Sequence, residues 1–291
     1  METIHTVDWM KQVARQARAE GRIIGFVPTM GALHEGHLSL VRAAQQQCDP
    51  VVVSIFVNPK QFGPGEDFAK YPRVMEDDAA RLAALRVPYL FAPAPEEMYP
   101  DGFRTYVSVE GFSERLEGRT RPGHFRGVIT VVLKLFEIVQ PHRAWFGRKD
   151  AQQARLLRQM ARDLNLDAEI ALGPIVREPD GLALSSRNAY LRGGARRAAT
   201  VLYRALDAAR RQIAAGERDA ARLVAALRET LDAEPLAKTD YAEVVDAETF
   251  EPVLRLRGAC LFLLAVRVGS TRLIDNMLAE EAENGVFRVA L

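Results

Sequence analysis

Neither G-x-x-x-x-G-K-[ST] nor G-x-G-x-x-G occurs in the chain, so the P-loop mode of holding a nucleoside triphosphate and the common dinucleotide fingerprint are both missing. Cysteine is scarce. The two present, Cys48 and Cys260, sit in apolar contexts more than two hundred residues apart, which excludes a disulfide framework and completes no zinc set. A reducing, cytoplasmic setting is the simplest expectation. A surplus of charge of either sign is also lacking, because 39 Lys and Arg stand against 38 Asp and Glu for a formal net charge of +1. Such a chain has no general electrostatic pull toward nucleic acid or an anionic membrane, and neither is expected as a partner. The best apolar run, Ala259 to Val266, is too short to span a bilayer, and the opening METIHTVDWMKQ has no basic stretch followed by an apolar core.

With 291 residues, two domains or one large domain with an appendage are expected. Strand and helix patterns alternate through the first 175 residues. Arg22 to Val27 reads as a buried strand broken by Pro28, Pro50 to Val57 as a second, Pro88 to Ala92, Arg143 to Phe146 and Ala168 to Leu172 as others. Between them, Glu76 to Leu85 is an acidic amphipathic helix, Val128 to Val139 repeats its apolar residues at helical spacing, and Ala154, Leu157 and Met160 mark one more helix. This series predicts an α/β fold, a Rossmann-like doubly wound parallel sheet with ligands beyond the carboxyl ends of its strands. Past Gly173-Pro174 the pattern changes to helices at Ala195 to Ala215 and Ala220 to Ala233 and strands at Tyr241 to Val245, Cys260 to Val268 and Arg272 to Asn276. A smaller C-terminal α+β domain over 176–291 is expected, with residues 1–175 as the first domain. The acidic-headed tail from Ala279 to Leu291 is expected to be partly disordered.

The most telling stretch is His34-Glu35-Gly36-His37, at the switch from strand to helix. Leu38, Val41, Ala44 and Cys48 follow at near-helical spacing, so His37 falls in a first helical turn, where free N-H groups and the positive dipole end favour a polyphosphate. Two other readings stay open on the motif alone: a zinc pair, although the spacing is not that of a metalloprotease helix, and two solvated histidines. Further clusters fall at other junctions. Asn58-Pro59-Lys60-Gln61 offers amides able to bind hydroxyl and carboxylate groups without carrying charge. Gly147-Arg148-Lys149-Asp150, with Gln153 one turn on, offers a phosphate-reaching lysine and an acceptor for ribose hydroxyls. Leu184-Ser185-Ser186-Arg187 sets two hydroxyls beside a guanidinium that can bind two phosphate oxygens at once.

PTMGALHEGH, FVNPKQF, LEGRTRPGHFRGV, WFGRKDAQQ and VREPDGLALSSRN, in this order, resemble the pantoate-beta-alanine ligase family of the HxGH nucleotidyltransferase superfamily, from about Pro28 to Arg192. The resemblance implies ATP-dependent condensation of pantoate with β-alanine to pantothenate through a pantoyl adenylate, with release of pyrophosphate and AMP. It implies His37, His34 and Lys149 as catalytic residues, His37 being the assigned acid. Met30, Gly147, Asp150, Val176, Leu184, Ser185, Ser186 and Arg187 would join them in binding ATP, with the C-terminal domain closing over the site. Gln61 and Gln153 would hold pantoate, helped by Asn58, Arg121 and His124. Magnesium is implied with ATP, mainly through phosphate oxygens, with Asp77 and Asp78 as candidates for its shell; a homodimer is implied as well. The Gly63 to Asp67 segment is expected to act as a lid. Leu184 stands where the family often has methionine, and Arg148 where an acidic residue or lysine is common. An alternative in the same superfamily is nucleotidyl transfer to another small acid or a phosphate ester, which would call for more arginines at the acceptor site.

Overall fold

The computed structural model describes residues 1–291 and divides into two compact units, Met1–Pro174 and Ile175–Leu291. In the first, a six-stranded all-parallel sheet has the order β1-β4-β3-β2-β5-β6, formed by β1 (Glu2–Ile4), β2 (Gly25–Thr29), β3 (Val51–Ile55), β4 (Tyr89–Phe91), β5 (Arg143–Gly147) and β6 (Glu169–Gly173). Helices α1 (Val7–Ala19), α2 (Glu35–Gln45), α3 (Met75–Ala84), the single turns α4 (Pro95–Met98) and α5 (Glu117–Thr120), α6 (His124–Val139) and α7 (Ala151–Asp163) fill the connections. This is the expected doubly wound α/β architecture. Every residue of β3 is buried, as a strand covered on both faces requires. Two apolar clusters line the sheet. One gathers Met10, Phe26, Phe136 and Leu157 with the apolar side of α6; the other gathers Val27, Val41, Val53, Leu90 and Trp145.

From β2 the chain winds outward through β3 and β4, then returns to the other flank of β2 with β5 and β6, so the switch point lies between β2 and β5. There the strands part. β2 pairs with β5 only at Gly25 and Phe26, whereas its pairing with β3 continues to Thr29. Ile24 accepts from the β5 side and Gly25 donates to the β3 side, and alternation then turns Phe26 and Pro28 toward β5. Pro28 has no N-H to give, and its ring stands where the ladder has ended. The strand therefore runs through the proline that was expected to break it. The three-residue edge strand β1 was not expected at all; its partner is β4.

The second unit carries an antiparallel sheet of order β10-β9-β8-β7, from β7 (Ala237–Asp246), β8 (Ala259–Val268), β9 (Thr271–Glu281) and β10 (Phe287–Ala290), covered by α8 (Gly193–Ala198), α9 (Val201–Ala214) and α10 (Ala220–Asp232). The helix expected over 195–215 is thus two, with a break at Ala199-Thr200. The tail is ordered, contrary to expectation: β9 runs on to Glu281, and β10 folds back on it with Phe287 buried and Arg218 over its ring at 4.8 Å. Ala279, Phe287, Val289 and Leu291 pack on the apolar cluster and so seat the acidic-headed segment. No helix of the chain is long and apolar enough to cross a membrane.

Candidate active site

The loop after β2 is a tight left-handed turn, with φ of +82° at Gly31 and +50° at Ala32. It is held from below. The Thr29 hydroxyl donates to the Ser54 carbonyl at 2.8 Å and accepts from Gly31 N-H at 3.1 Å, while the Asp78 carboxylate accepts from Ala32 N-H at 2.8 Å and Leu33 N-H at 2.7 Å. Asp78 is 1% exposed, and burial pushes its pKa up despite those two donors. Both oxygens are thereby engaged, and Asp77 beside it faces outward. At Asp78, expected in the magnesium shell, the structure shows a structural role: the carboxylate braces the turn after β2. No group of three His, Cys, Asp or Glu side chains is placed to hold a metal ion, so the histidine pair gains no third such ligand from the fold.

The turn delivers His34 to the N-cap of α2 and His37 to its first turn, with ring centroids 4.1 Å apart. The N-H groups of Glu35 and Gly36 precede the first intrahelical bonds and head the helix dipole. His34 N-H donates to His37 Nδ1 at 3.4 Å, which leaves the proton of a neutral His37 on Nε2. His34 Nδ1 is buried with no partner. Burial first, then the charge of Lys149, lowers the His34 pKa to about 4; burial, His34 and Lys149 lower that of His37 to about 3. Both rings are neutral at pH 7.

Lys149 and Asp150 arrive from the next strand, on the 3-10 turn Arg148–Asp150 after β5, where Gly147 pairs with Gly173 at the head of β6. Their charges act on His34 in opposite senses, so they flank the histidine turn across the switch point. Asp150 is the N-cap of α7, and Gln153, partly exposed, lies in its first turn. Gln152, which the sequence did not single out, is buried and holds the Phe112 to Glu117 loop through three hydrogen bonds to its backbone.

The third strand end carries the amides. After β3, Asn58 caps the 3-10 turn Pro59–Gln61. Asn58 Nδ2 donates to Gln61 Oε1 at 3.0 Å and to the Gly127 carbonyl at 3.1 Å, while its Oδ1 accepts from Lys60 N-H at 3.2 Å and the Tyr99 hydroxyl at 2.8 Å. Gly127 allows this approach: a Cβ there would overlap the Lys60 carbonyl. Asn58 is therefore saturated and orients Gln61, in place of the substrate contact expected of it. Gln61 Nε2 donates only to Met30 Sδ, at 3.0 Å, a weak acceptor that a substrate oxygen can displace. Arg121 and His124 also act on Gln61 from behind. His124 Nδ1 donates to the Gln61 carbonyl at 2.8 Å, its Nε2 accepts from Arg121 at 2.9 Å, and Arg121 clamps both oxygens of Glu66 at 2.7 Å. The 63–67 loop is thus tied to the amide turn.

In the second unit, Val176, Leu184, Ser185, Ser186 and Arg187 belong to one small hairpin and the 3-10 turn after it. Leu184 N-H donates to the Val176 carbonyl at 2.9 Å, Arg177 and Ala183 bridge, and Ser185 Oγ caps Arg187 N-H at 3.3 Å. The hairpin is stapled in place. Arg177 forms a two-pronged ion pair with buried Asp275, and Gly181, with φ of +90°, lies so close against the Tyr203 ring that no Cβ fits.

A profile of the family described as pantoate-beta-alanine ligase matches residues 2–278. The pantothenate synthetase of Heliobacterium modesticaldum is 56% identical over 280 residues, 96% of this chain and all of the relative, and that of Moorella thermoacetica is 55% identical over 96% of this chain and 99% of the relative. A crystal structure of pantothenate synthetase from Thermus thermophilus superposes with a TM-score of 0.91 at 48% identity, covering 95% of this chain and 98% of the other. That of pantoate-beta-alanine ligase from Francisella tularensis, complexed with beta-gamma ATP and beta-alanine, gives 0.78 at 35% identity over 95% and 97%. Similarity of this extent, over both units and every motif of the site, makes the chain a member of the pantoate-beta-alanine ligase family.

Proposed function

We propose that the chain condenses pantoate with β-alanine to form pantothenate, using ATP and passing through a pantoyl adenylate. The observation that carries this reading is the convergence of three adjacent strand ends: the histidine turn after β2, Lys149 and Asp150 after β5, and the amide turn after β3. Cationic and N-H donors stand at two of them and uncharged amides at the third, a division that suits a polyphosphate beside a carboxylate nucleophile.

In the first step a pantoate carboxylate oxygen attacks the α-phosphorus of ATP and pyrophosphate leaves. In the second, the free amine of β-alanine attacks the acyl carbon, AMP leaves and the amide forms. His37 donates from Nε2 to the α-phosphate, and His34 and Lys149 meet the charge that builds toward the leaving pyrophosphate. One such donor contributes about 3 to 4 kcal/mol to the transition state. Neutral rings suit this task, since Nε2-H of a neutral His37 is a hydrogen-bond donor and an incoming triphosphate raises the ring pKa, which favours a cationic ring beside the phosphate charge. Asp150 and Gly147 bind the ribose, Val176 and Leu184 the adenine, and Ser185, Ser186 and Arg187 phosphate oxygens. Gln61 and Gln153 hold pantoate without a cation on its carboxylate, so its nucleophilicity is preserved, and no general base is needed to ionise it. Orientation then supplies much of the rate.

Magnesium accompanies ATP on this reading. The side chains form no cation cage, so phosphate oxygens and water would be its main ligands and it would screen phosphate charge. The 63–67 loop excludes water from the acyl adenylate, and the enzyme works as a homodimer in the cytoplasm. The decisive measurement is pyrophosphate release by the purified protein with ATP. Release that depends on pantoate, with AMP and pantothenate accumulating once β-alanine is added, is the expected result; release no higher than with ATP alone overturns the reading.

A further inference from the structure

Asparagine and glutamine amides have one shape and two chemically opposite edges, so the edge Gln61 turns to a ligand depends on what fixes it. Two of the four partners of Asn58 have no freedom in this respect. The Lys60 N-H only donates, and it reaches Oδ1; the Gly127 carbonyl only accepts, and it is reached by Nδ2. Asn58 therefore has one orientation, which its second N-H and second lone pair pass on. That N-H goes to Gln61 Oε1, and the lone pair takes the hydrogen of the Tyr99 hydroxyl. With Oε1 held from within, Gln61 must offer its NH2 edge to the outside, where only the thioether of Met30 receives it.

We propose that Tyr99 is a positioning residue for this reaction: by donating to the second lone pair of Asn58 Oδ1 it holds firm the orientation that the Lys60 N-H and the Gly127 carbonyl select, and so keeps the Gln61 amide with its donor edge toward the substrate, where an acceptor oxygen is recognised. The inference rests on the reading of Gln61 as a pantoate contact. It adds a direction to that contact. A carboxylate or hydroxyl oxygen is accepted at this point and an ammonium or amide N-H is disfavoured, because Gln61 turns its NH2 edge outward and its Oε1 inward to Asn58.

Tyr99 is suited to the task. Its ring packs between Phe56 at 6.1 Å and Phe103 at 4.9 Å, with the ammonium groups of Lys60 at 5.7 Å and Lys134 at 6.0 Å from its centroid, so the hydroxyl is aimed by a rigid mount. Burial raises its pKa, which keeps the hydroxyl a donor across the working range. The residue lies outside every motif of the site and reaches it only through the fold.

The test compares Tyr99→Phe, Asn58→Asp and the double variant Tyr99→Phe with Gln61→Ala, measuring KM for pantoate and for ATP by pyrophosphate release. Loss of one neutral hydrogen bond corresponds to a rise of about three- to tenfold in KM for pantoate for Tyr99→Phe, with KM for ATP within about twofold of the wild type. Asn58→Asp replaces the donor by an acceptor, turns Gln61 over, and raises KM for pantoate further. In the Gln61→Ala background Tyr99→Phe has no remaining effect on pantoate. Equal rises in both KM values, an unchanged KM for pantoate, or an undiminished effect in the Gln61→Ala background would each overturn the role of Tyr99 and leave the ligase reading standing. A wild-type protein without pantoate-dependent release would remove both.

Discussion

The histidines of the turn after β2 and the histidine beside the amide turn after β3 share a charge state and differ in what is left to bind. His34, His37 and His124 are all neutral, with pKa values lowered to about 4, 3 and 4, chiefly by burial. His124 has both nitrogens engaged, one by Arg121 and one by the Gln61 carbonyl. In the other pair His34 Nδ1 has no partner, and His37 uses only Nδ1 among its hydrogen bonds within the protein. Burial thus prepares the two kinds of histidine alike; unspent hydrogen-bonding capacity is what separates the pair after β2 from the brace at His124, and it is what the proposed phosphate role requires.

Several substitutions probe this contrast. The largest effect is expected from His37→Ala, a loss of about a hundred- to a thousandfold in the rate of pantoate-dependent pyrophosphate release with a melting temperature close to that of the wild type. Normal turnover in this variant would remove His37 from the chemistry. On the other side of the comparison, Glu66→Gln loosens the Arg121 clamp while the Arg121 to His124 contact persists. Pantoyl adenylate should then be lost to water about tenfold more readily, seen as AMP formed in excess of pantothenate; tight coupling would show that the 63–67 loop does not shield the intermediate.

Gly36→Ala separates stability from function more finely. Alanine favours a helix by about 1 kcal/mol over glycine, yet a Cβ at this position lies 2.9 Å from Cε1 and Nδ1 of His34. The expected outcome is an unchanged or slightly raised melting temperature with activity reduced severalfold as the ring is pushed aside; unchanged activity would mean that His34 placement is not critical. The smallest effect is the pH dependence of stability. Below pH 6.5 the unfolded chain binds protons at these three histidines that the folded chain refuses until about pH 4 to 3, so their contribution is complete above pH 6.5 and declines as pH falls through that window. Denaturation midpoints at pH 7 and pH 5 should differ less in His124→Gln than in the wild type, and an equal difference would contradict the buried neutral state of His124.

Much of this was legible in the residues. The β-branched run at 51–55 and the helical spacing of Val128, Val131, Val132, Leu135 and Val139 placed a buried strand and a helix at nearly their observed limits. The histidine turn, the Lys149 turn and the amide turn were legible as junctions because each is a short contiguous motif at one strand end. What escaped was long-range. Asp78 reads as one acidic residue in the first turn of an acidic helix, and only the fold carries it 46 positions back to the Ala32 N-H. Asn58 and Gln61 are two letters of one motif, three positions apart, yet that Asn58 is spent on holding its neighbour depends on Tyr99 and Gly127, 41 and 69 positions downstream of it. Pro28 was legible as an interruption; that it interrupts one side of the strand and not the other depends on neighbours the local pattern does not contain.

Pro28 has a consequence of its own. A sheet that stayed zipped to its end between β2 and β5 would offer the nucleotide a closed seam, with every amide hydrogen already committed. A residue that carries no such hydrogen stands past the second rung, where the zipper stops, and the strands part before the turn that carries His34 and His37. The chain contains no glycine-rich phosphate loop; a missing hydrogen atom at one imino nitrogen ends the β2–β5 ladder instead.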